Sequence, residues 1–181
     1  MLAGWNRAHG TEYSVSVNLS ALHFNSMKIV QRVEEVLWSS TLPAHLLTLE
    51  ITETAEMRDW SQAQNVIQEL KELGCKISID DFGTGFSSLA YLLTIKAHEL
   101  KVDRSLVDEV ETSTQAQLLL SSVLDIARNL ELAVVIEGVE TKEQRDIVFG
   151  LGARQAQGYL YGKPMPPSEA LGLQQAAYRT A

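Results

Sequence analysis

The chain has 181 residues, 45% of them hydrophobic, which is enough to bury one sizeable core as a single domain. Its 23 acidic residues outnumber 15 basic ones, giving a net charge of −8, and no basic run is interleaved with aromatic residues. This balance argues against broad nucleic-acid binding, because side chains alone cannot neutralise a phosphate backbone here and a phosphate ligand would need bound cations.

Strand-like runs alternate with helical patterns from one end of the chain to the other. The runs are 14–20, 46–53, 76–82, 99–105, 133–140 and 155–161. Three apolar stripes at helical spacing lie between them: Ile29, Val30, Val33, Val36 and Leu37; Val66, Ile67, Leu70 and Leu73, ended by Gly74; and Leu118, Leu119, Val123, Ile126 and Leu130. A last helix is predicted near Ser168. Strand-then-helix units in series predict parallel strands, and no linker divides them.

Polar residues near the carboxyl ends of these runs help to choose between an open doubly wound sheet and a (β/α) barrel. They are Asn18, Glu50, Asp80, Asp81, Lys101, Glu137 and Gln157. A barrel gathers side chains from many successive strands on one rim, whereas an open sheet collects its ligand contacts at one switch point. No G-x-G-x-x-G follows the first run. The pattern favours an α/β fold of the TIM-barrel type.

The adjacent acids Asp80 and Asp81 predict a cation site. Neighbours in a strand point to opposite faces, so we expect both acids to share a target only where the strand ends and the chain turns at Gly83. Two carboxylates this close raise each other's pKa unless cations compensate. The oxygen-bearing set suits Mg²⁺ or Mn²⁺ rather than zinc, and none of the four histidines falls at the carboxyl end of a run. A carboxylate that bridges two ions is typical of phosphoryl displacement.

Each polar residue also has a purely structural interpretation. Asp80 and Asp81 could cap a turn, Glu50 could pair with a distant cation, Lys101 could mark a solvated strand exit and Glu137 could lead into a helix. Their recurrence at the same place in six successive units favours one shared site.

Six segments carry a resemblance to a known family. They are VNLS (17–20), LEITE (49–53), DDFGTGFSSL (80–89), LKVDRSLV (100–107), VVIEGVET (134–141) and AQGYLYGKPM (156–165). In this order they resemble the EAL-domain family of cyclic-di-GMP phosphodiesterases. The resemblance implies a modified TIM barrel with one strand reversed. It also implies a hydrolase of bacterial signal transduction that cleaves cyclic di-GMP to linear pGpG with bound metal.

The resemblance further implies a two-metal site with Mg²⁺ or Mn²⁺. Asn18, Glu50 and Asp80 would hold one ion, and Asp80, Asp81 and Glu137 the other, with Glu137 also a candidate base. The resemblance thus implies that Asp80 bridges the two ions and that Asp81 is a second ligand at the start of the loop.

Other positions take roles from the same resemblance. Lys101 would lie beside the attacking water and a phosphate oxygen, where it adds positive charge. Gln157 would place substrate or a water next to the metals. Glu53 would anchor the loop 81–89, which the family links to metal binding and to a homodimer contact. Three positions in that loop are candidate substrate or metal-support residues: Gly83, Thr84 and Gly85.

The motif that names the family, E-A-L-x-R, does not occur in these 181 residues. In the family it lies upstream of VNLS; its Glu binds metal and its Arg meets a substrate phosphate. We therefore expect residues 1–181 to be a single, N-terminally truncated EAL domain with about six of eight strands. Unpaired edges, weakened metal affinity and little turnover would follow. A GGDEF or sensory domain upstream is a further expectation.

Two other functions remain open on the residues. One is a non-catalytic cyclic-di-GMP receptor or protein-interaction module; the other is a barrel enzyme that abstracts a proton beside a carboxylate, with Mg²⁺ and Lys101 as base. The lone Cys75, the lack of an apolar stretch of about 18 residues and the absence of a signal-peptide pattern predict a cytoplasmic location with no membrane segment in this chain.

Overall fold

A six-stranded parallel sheet forms the centre of the molecule. The computed structural model describes residues 1–52, 60–84 and 89–171. Every strand pairs with the next one along the chain, so the spatial order equals the chain order. The strands are β1 (Val15–Asn18), β2 (Leu47–Thr52), β3 (Lys76–Phe82), β4 (Glu99–Val102), β5 (Ala133–Ile136) and β6 (Gln155–Ala156). A doubly wound sheet would reverse its order at a switch point; the uniform order confirms an incomplete α/β barrel.

Helices connect the strands on one side of this sheet. They are α1 (Leu2–His9), α2 (Lys28–Ser40), α3 (Trp60–Glu72), α4 (Leu89–Ile95), α5 (Thr114–Asn129) and α6 (Lys142–Gly150). Short 3₁₀ turns cover Ala21–Asn25, Ala44–Leu46 and Arg104–Leu106, and residues 167–171 are helical. Among the residues that the structure describes, no helix combines the length and apolar character needed to cross a membrane.

The main core lies between the outer face of the sheet and the helices. Alternate strand residues point to this face, and Leu49, Ile77, Ile79 and Leu100 are almost fully buried there. The helix α3 supplies Val66, Ile67 and Leu70 to the same core. Because the apolar residues face outward, the polar residues that alternate with them face the inside of the barrel.

Two of the predicted helical stripes were wrong in detail. In α5 the buried residues are Leu120, Val123, Leu124 and Ala127, whereas Leu118 and Leu119 are exposed. Three consecutive leucines at 118–120 fit several helical phases, and packing selects the phase that buries Leu120 with positions three, four and seven residues later. In α2, Val36 is likewise exposed.

The edge strands are shorter and more exposed than the predicted runs. Within the described part of the chain, β1 and β6 each pair with one neighbour, and all four residues of β1 are exposed. Glu137 and Gln157 follow β5 and β6 instead of lying inside them. After Glu137 the chain turns at Gly138, whose positive φ of 71° favours glycine.

Candidate metal centre

Lys101 of β4 lies among three carboxylates, which belong to β2, to β3 and to the residue that follows β5. Its Nζ atom is 2.7 Å from Glu137 Oε1, 2.8 Å from Asp80 Oδ1 and 3.1 Å from Glu50 Oε1. Glu50, Asp80 and Lys101 are only 5%, 6% and 8% exposed. Four residues separated by up to 87 positions in the sequence thus meet at the carboxyl end of the sheet.

Strand register explains why these side chains meet. Glu50 lies beside Asn18 of β1 and Ser78 of β3, while Thr52 lies beside Asp80. Because side chains alternate, Glu50 and Asp80 both point inward, opposite to the apolar residues that flank them. Asn18 is therefore at the same end of the sheet as Glu50, although its strand is exposed.

A β-bulge brings Asp81 to the same site as Asp80. Ile79 pairs with Leu100, but the next pair is Phe82 with Val102, so two acids lie opposite the single residue Lys101. Such an extra residue redirects side chains and is common beside active sites. Asp81 adopts a left-handed backbone with φ of 57°, and its N–H donates to Asp80 Oδ1 at 3.1 Å.

The expected end of the strand is confirmed, because β3 ends at Phe82 and the chain turns at Gly83, whose φ is 110°. The bulge before that turn was not predicted. The irregularity lies inside the strand, where Asp81 takes a conformation that asparagine and aspartate tolerate better than most residues. One carboxylate oxygen each from Asp80, Asp81 and Glu137 consequently lies within 4.8 Å of the others.

Gln157 holds Glu137 in place. Its Nε2 atom donates to Glu137 Oε1 at 2.6 Å, and its backbone N–H donates to the carbonyl of Ile136 at 2.8 Å. The next residue, Gly158, packs directly on Val139, where an added Cβ would collide with the backbone oxygen. Gln157 is thus fixed by the backbone on both sides, and its amide orients a carboxylate.

The electrostatics of the cluster depend on mutual compensation. Burial lowers the pKa of Lys101, but hydrogen bonds to Asp80 and Glu137 and their negative charges outweigh it, so the pKa rises above its ordinary value. The pKa of Glu137 is also raised, chiefly by burial and further by the charges of Asp80 and Glu50, against the opposing effect of Lys101. One ammonium group therefore does not fully balance the acids around it.

The donor set fits a hard divalent cation. Asp80, Asp81 and Glu137 offer only carboxylate oxygens, as Mg²⁺ and Mn²⁺ prefer. Opposite ligands of an octahedral Mg²⁺ lie about 4.2 Å apart, close to the 4.8 Å that encloses the three oxygen atoms. Glu50 and Asn18 extend this oxygen-bearing surface along the same edge.

The loop after β3 is partly described. Gly83 has a φ of 110°, and an added Cβ would lie 2.6 Å from Leu106 Cδ1. The Thr84 hydroxyl donates to the carbonyl of Asp81 at 3.0 Å. The predicted positions Glu53 and Gly85 lie outside the described residues.

An open cleft of about 730 Å³ adjoins the carboxylates. Glu137 and Gln157 line it together with Arg104, Tyr159 and Tyr161. We did not predict the last three, although each follows a predicted strand closely, in the segments VDRS and GYLY. An arginine can bind phosphate and aromatic rings can stack on flat bases, so this lining adds both kinds of contact beside the carboxylates.

Comparisons with known proteins point to one family. The EAL domain model matches residues 1–164. The bifunctional diguanylate cyclase/cyclic di-GMP phosphodiesterase MucR of Pseudomonas aeruginosa is 39% identical over 168 residues, which is 92% of this chain and 24% of MucR. The chain spans about a fifth to a quarter of the length of the curated relatives it matches.

Solved structures agree with this family match. The PaMucR phosphodiesterase in complex with cyclic di-GMP superposes with a TM-score of 0.85 at 37% identity, over 93% of this chain and 68% of that one. The manganese and cyclic di-GMP complex of Klebsiella pneumoniae BlrP1 gives a TM-score of 0.81 at 30% identity, over 90% of this chain and 41% of that one. Since the family model covers most of the 181 residues, the chain belongs to the EAL domain family.

Proposed function

We propose that this chain carries the site of a metal-dependent phosphodiesterase that hydrolyses cyclic di-GMP to linear pGpG. The observation that carries the proposal is the cluster of Glu50, Asp80, Asp81 and Glu137 around Lys101 at the carboxyl end of parallel strands. The cyclic di-GMP bound in the solved structures of PaMucR and BlrP1 supports the choice of substrate, as does the cyclic di-GMP phosphodiesterase name of MucR.

The charge of the site is the physical reason for a metal requirement. Three carboxylates contact one ammonium group, the carboxylate of Asp81 lies beside two of them, and the whole chain has a net charge of −8. An anionic phosphodiester would be repelled from such a surface unless cations reversed its charge. Bound Mg²⁺ or Mn²⁺ would supply this reversal and would lower the pKa of a coordinated water.

The protein residues divide the remaining work. Asn18, Glu50 and Asp80 would hold one ion, and Asp80 would share the second with Asp81 and Glu137. Carboxylates fixed in a sheet lose little entropy when they bind an ion, because their backbone is already ordered.

Lys101 and Gln157 would act through charge and orientation. Lys101 would face the phosphate oxygens on which negative charge develops during displacement. Gln157 already donates to Glu137 Oε1, so it would keep that carboxylate aimed at the ion or at a bound water. The cleft beside Glu137, lined by Arg104 and the two tyrosines, would take the remainder of the cyclic dinucleotide.

The direct test is hydrolysis of cyclic di-GMP by the purified 181-residue chain with Mg²⁺ or Mn²⁺, with pGpG measured by chromatography. We expect pGpG formation that is slow, because E-A-L-x-R is absent from these 181 residues, but that requires metal and is abolished by chelation. Asp80→Asn should remove it, whereas Asp125→Asn, which changes an exposed acid paired with Arg128, should not. A chain that binds neither ion, or that consumes cyclic di-GMP equally well under chelation, would contradict the proposal.

A receptor that binds cyclic di-GMP without cleaving it is the second candidate. These 181 residues do not include E-A-L-x-R, which in the family supplies another metal ligand and a phosphate-binding arginine, so binding by these residues alone can be tested apart from cleavage. Calorimetric binding of cyclic di-GMP with no pGpG after long incubation would select this function. We also propose a cytoplasmic location and homodimer contact near residues 81–89.

A further inference from the structure

We propose that the Lys101 ammonium group serves as a built-in substitute cation, which holds the carboxylates together until a divalent ion displaces it. This inference rests on the metal-dependent site proposed above. It makes Lys101 a residue that sets metal affinity, in addition to any contact with phosphate.

The geometry shows that Lys101 occupies a cation position. Its Nζ atom lies 2.7 to 3.1 Å from one oxygen each of Glu50, Asp80 and Glu137, which is the full donor capacity of an ammonium group. The same Asp80 and Glu137 carboxylates belong to the group that encloses a candidate ion site. An ion bound there and an ammonium group in its present place would compete for these acids.

Charge makes this competition unavoidable. A divalent ion a few ångströms from an ammonium group is repelled by it, and the repulsion is weakly screened where the surroundings are buried. Lys101 must therefore swing away when the ion enters, and its four-carbon stem allows this movement without a change in the strand.

The arrangement also explains how the sheet tolerates buried acids before metal binds. Glu50 and Asp80 are 5% and 6% exposed, and unpaired charges at such positions are strongly destabilising. Lys101 removes most of this penalty, so the site stays assembled. The withdrawn ammonium group then becomes available to an anionic phosphate, which couples metal binding to substrate binding.

The test compares the Mn²⁺ affinity of the wild-type chain and Lys101→Met, by titration with electron paramagnetic resonance of free Mn²⁺. We expect Lys101→Met to lower the Mn²⁺ dissociation constant at least about tenfold, because no internal cation competes. Its melting temperature under chelation should fall below that of the wild type and should recover with Mn²⁺. Lys76→Met is the control, because Lys76 is an exposed lysine at the start of β3, on the same face of the strand as Asp80. It should change neither the Mn²⁺ dissociation constant nor the melting temperature.

The outcomes separate this inference from the proposed function. Wild-type binding of Mn²⁺ with equal or weaker binding by Lys101→Met would overturn the substitute-cation role and leave the phosphodiesterase site standing. Absence of Mn²⁺ binding in both proteins would overturn both proposals.

A measurement on the wild type covers the case in which Lys101→Met does not fold. Lysine side-chain ¹⁵N resonances would be followed during Mg²⁺ titration, with Lys101→Arg used to assign the Lys101 signal. We expect the Lys101 resonance, and not that of Lys76, to shift as Mg²⁺ saturates the site. A Lys101 signal that stays in place at saturating Mg²⁺ would overturn the proposal.

Discussion

The central and edge strands of the same sheet carry their polar side chains in contrasting surroundings. Glu50, Asp80 and Lys101 come from β2, β3 and β4 and are buried. Asn18 of β1 and Gln157 after β6 are exposed. The charged groups thus occupy the most enclosed positions, whereas the edges hold neutral amides.

Folding stability alone does not explain why the charged groups occupy the most buried positions. Replacement of a buried ion cluster by apolar side chains is often neutral or stabilising, and the outer face of the same strands shows that this sheet packs apolar residues well. The central charges are therefore better explained by binding than by folding. Asn18 and Gln157 at the edge strands, where a substitution has little effect on stability, would adjust the affinity of a site formed by the central strands.

The largest difference should be seen in catalysis. Asp80→Asn keeps the shape of the side chain but removes a charge shared by both proposed ions, so we expect a loss of cyclic di-GMP hydrolysis of about a hundredfold or more. Asn18→Ala removes one neutral oxygen ligand at an exposed edge strand and should lower the rate of hydrolysis about tenfold. Initial rates of pGpG formation at saturating Mn²⁺ measure both. Equal losses would mean that the centre does not dominate the site.

Stability should show the same contrast on the outer face. Ile79→Ala in β3 empties a site that is 0% exposed, so we expect a loss of about 2–5 kcal/mol. Val17→Ala in β1 trims a side chain that is 43% exposed and should cost about 1 kcal/mol or less. Urea unfolding followed by circular dichroism gives both values. A Val17→Ala loss as large as that of Ile79→Ala would show that β1 is packed more tightly than its exposure indicates.

Much of the architecture was predictable from the sequence because its signals are local. Six apolar runs with polar residues at their ends indicated parallel strands and a common rim, and the structure brings Glu50, Asp80, Lys101 and Glu137 together there. Thr141 and Gln144 form a reciprocal cap at the start of α6, a pairing between residues only three positions apart. Such features depend on residues close to one another in the chain.

The features that the sequence did not predict depend on residues that are distant in the chain. The bulge at Asp80 and Asp81 exists only relative to the register of β4, which no local pattern encodes. The choice of Leu120 over Leu118 depends on what α5 packs against. The three ion pairs of Lys101 likewise require neighbouring strands to be in register. The sequence therefore indicated which residues form the site but not which of them are in contact.

The turn that leaves the central strand β3 should be less tolerant than a helix near the edge. Gly83 has a φ of 110° and would place a Cβ against Leu106, so Gly83→Ala should cost about 1–3 kcal/mol. Gly4→Ala in α1 meets nothing within 4 Å and should stabilise the chain by about 0.4–1 kcal/mol. Thermal and urea unfolding measure both effects. A Gly83→Ala chain as stable as the wild type would mean that the turn relaxes freely.

The smallest effect should appear at the opposite end of β3, as a dependence of stability on pH. The backbone N–H of Ile77 donates to His98 Nδ1 at 3.0 Å, which requires an unprotonated nitrogen. Burial, followed by the charges of Lys71 and Lys76, lowers the pKa of His98. His98 therefore binds a proton more readily in the unfolded chain than in the folded one. Its contribution to the unfolding free energy is complete above pH of about 6.5 and declines as pH falls below that value.

Replacement of His98 by asparagine isolates this contribution. His98→Asn keeps a neutral acceptor near the Ile77 N–H but cannot titrate, so its unfolding free energy should decline less than that of the wild type between pH 7 and pH 5. Glu137 has a raised pKa and acts in the opposite direction, so the difference between the two proteins is the informative quantity. His23→Asn, a change at an exposed histidine outside the sheet, should retain the wild-type slope. If the unfolding free energies of the wild type and His98→Asn declined in parallel with falling pH, protonation of His98 would not contribute to the pH dependence, which would contradict the prediction.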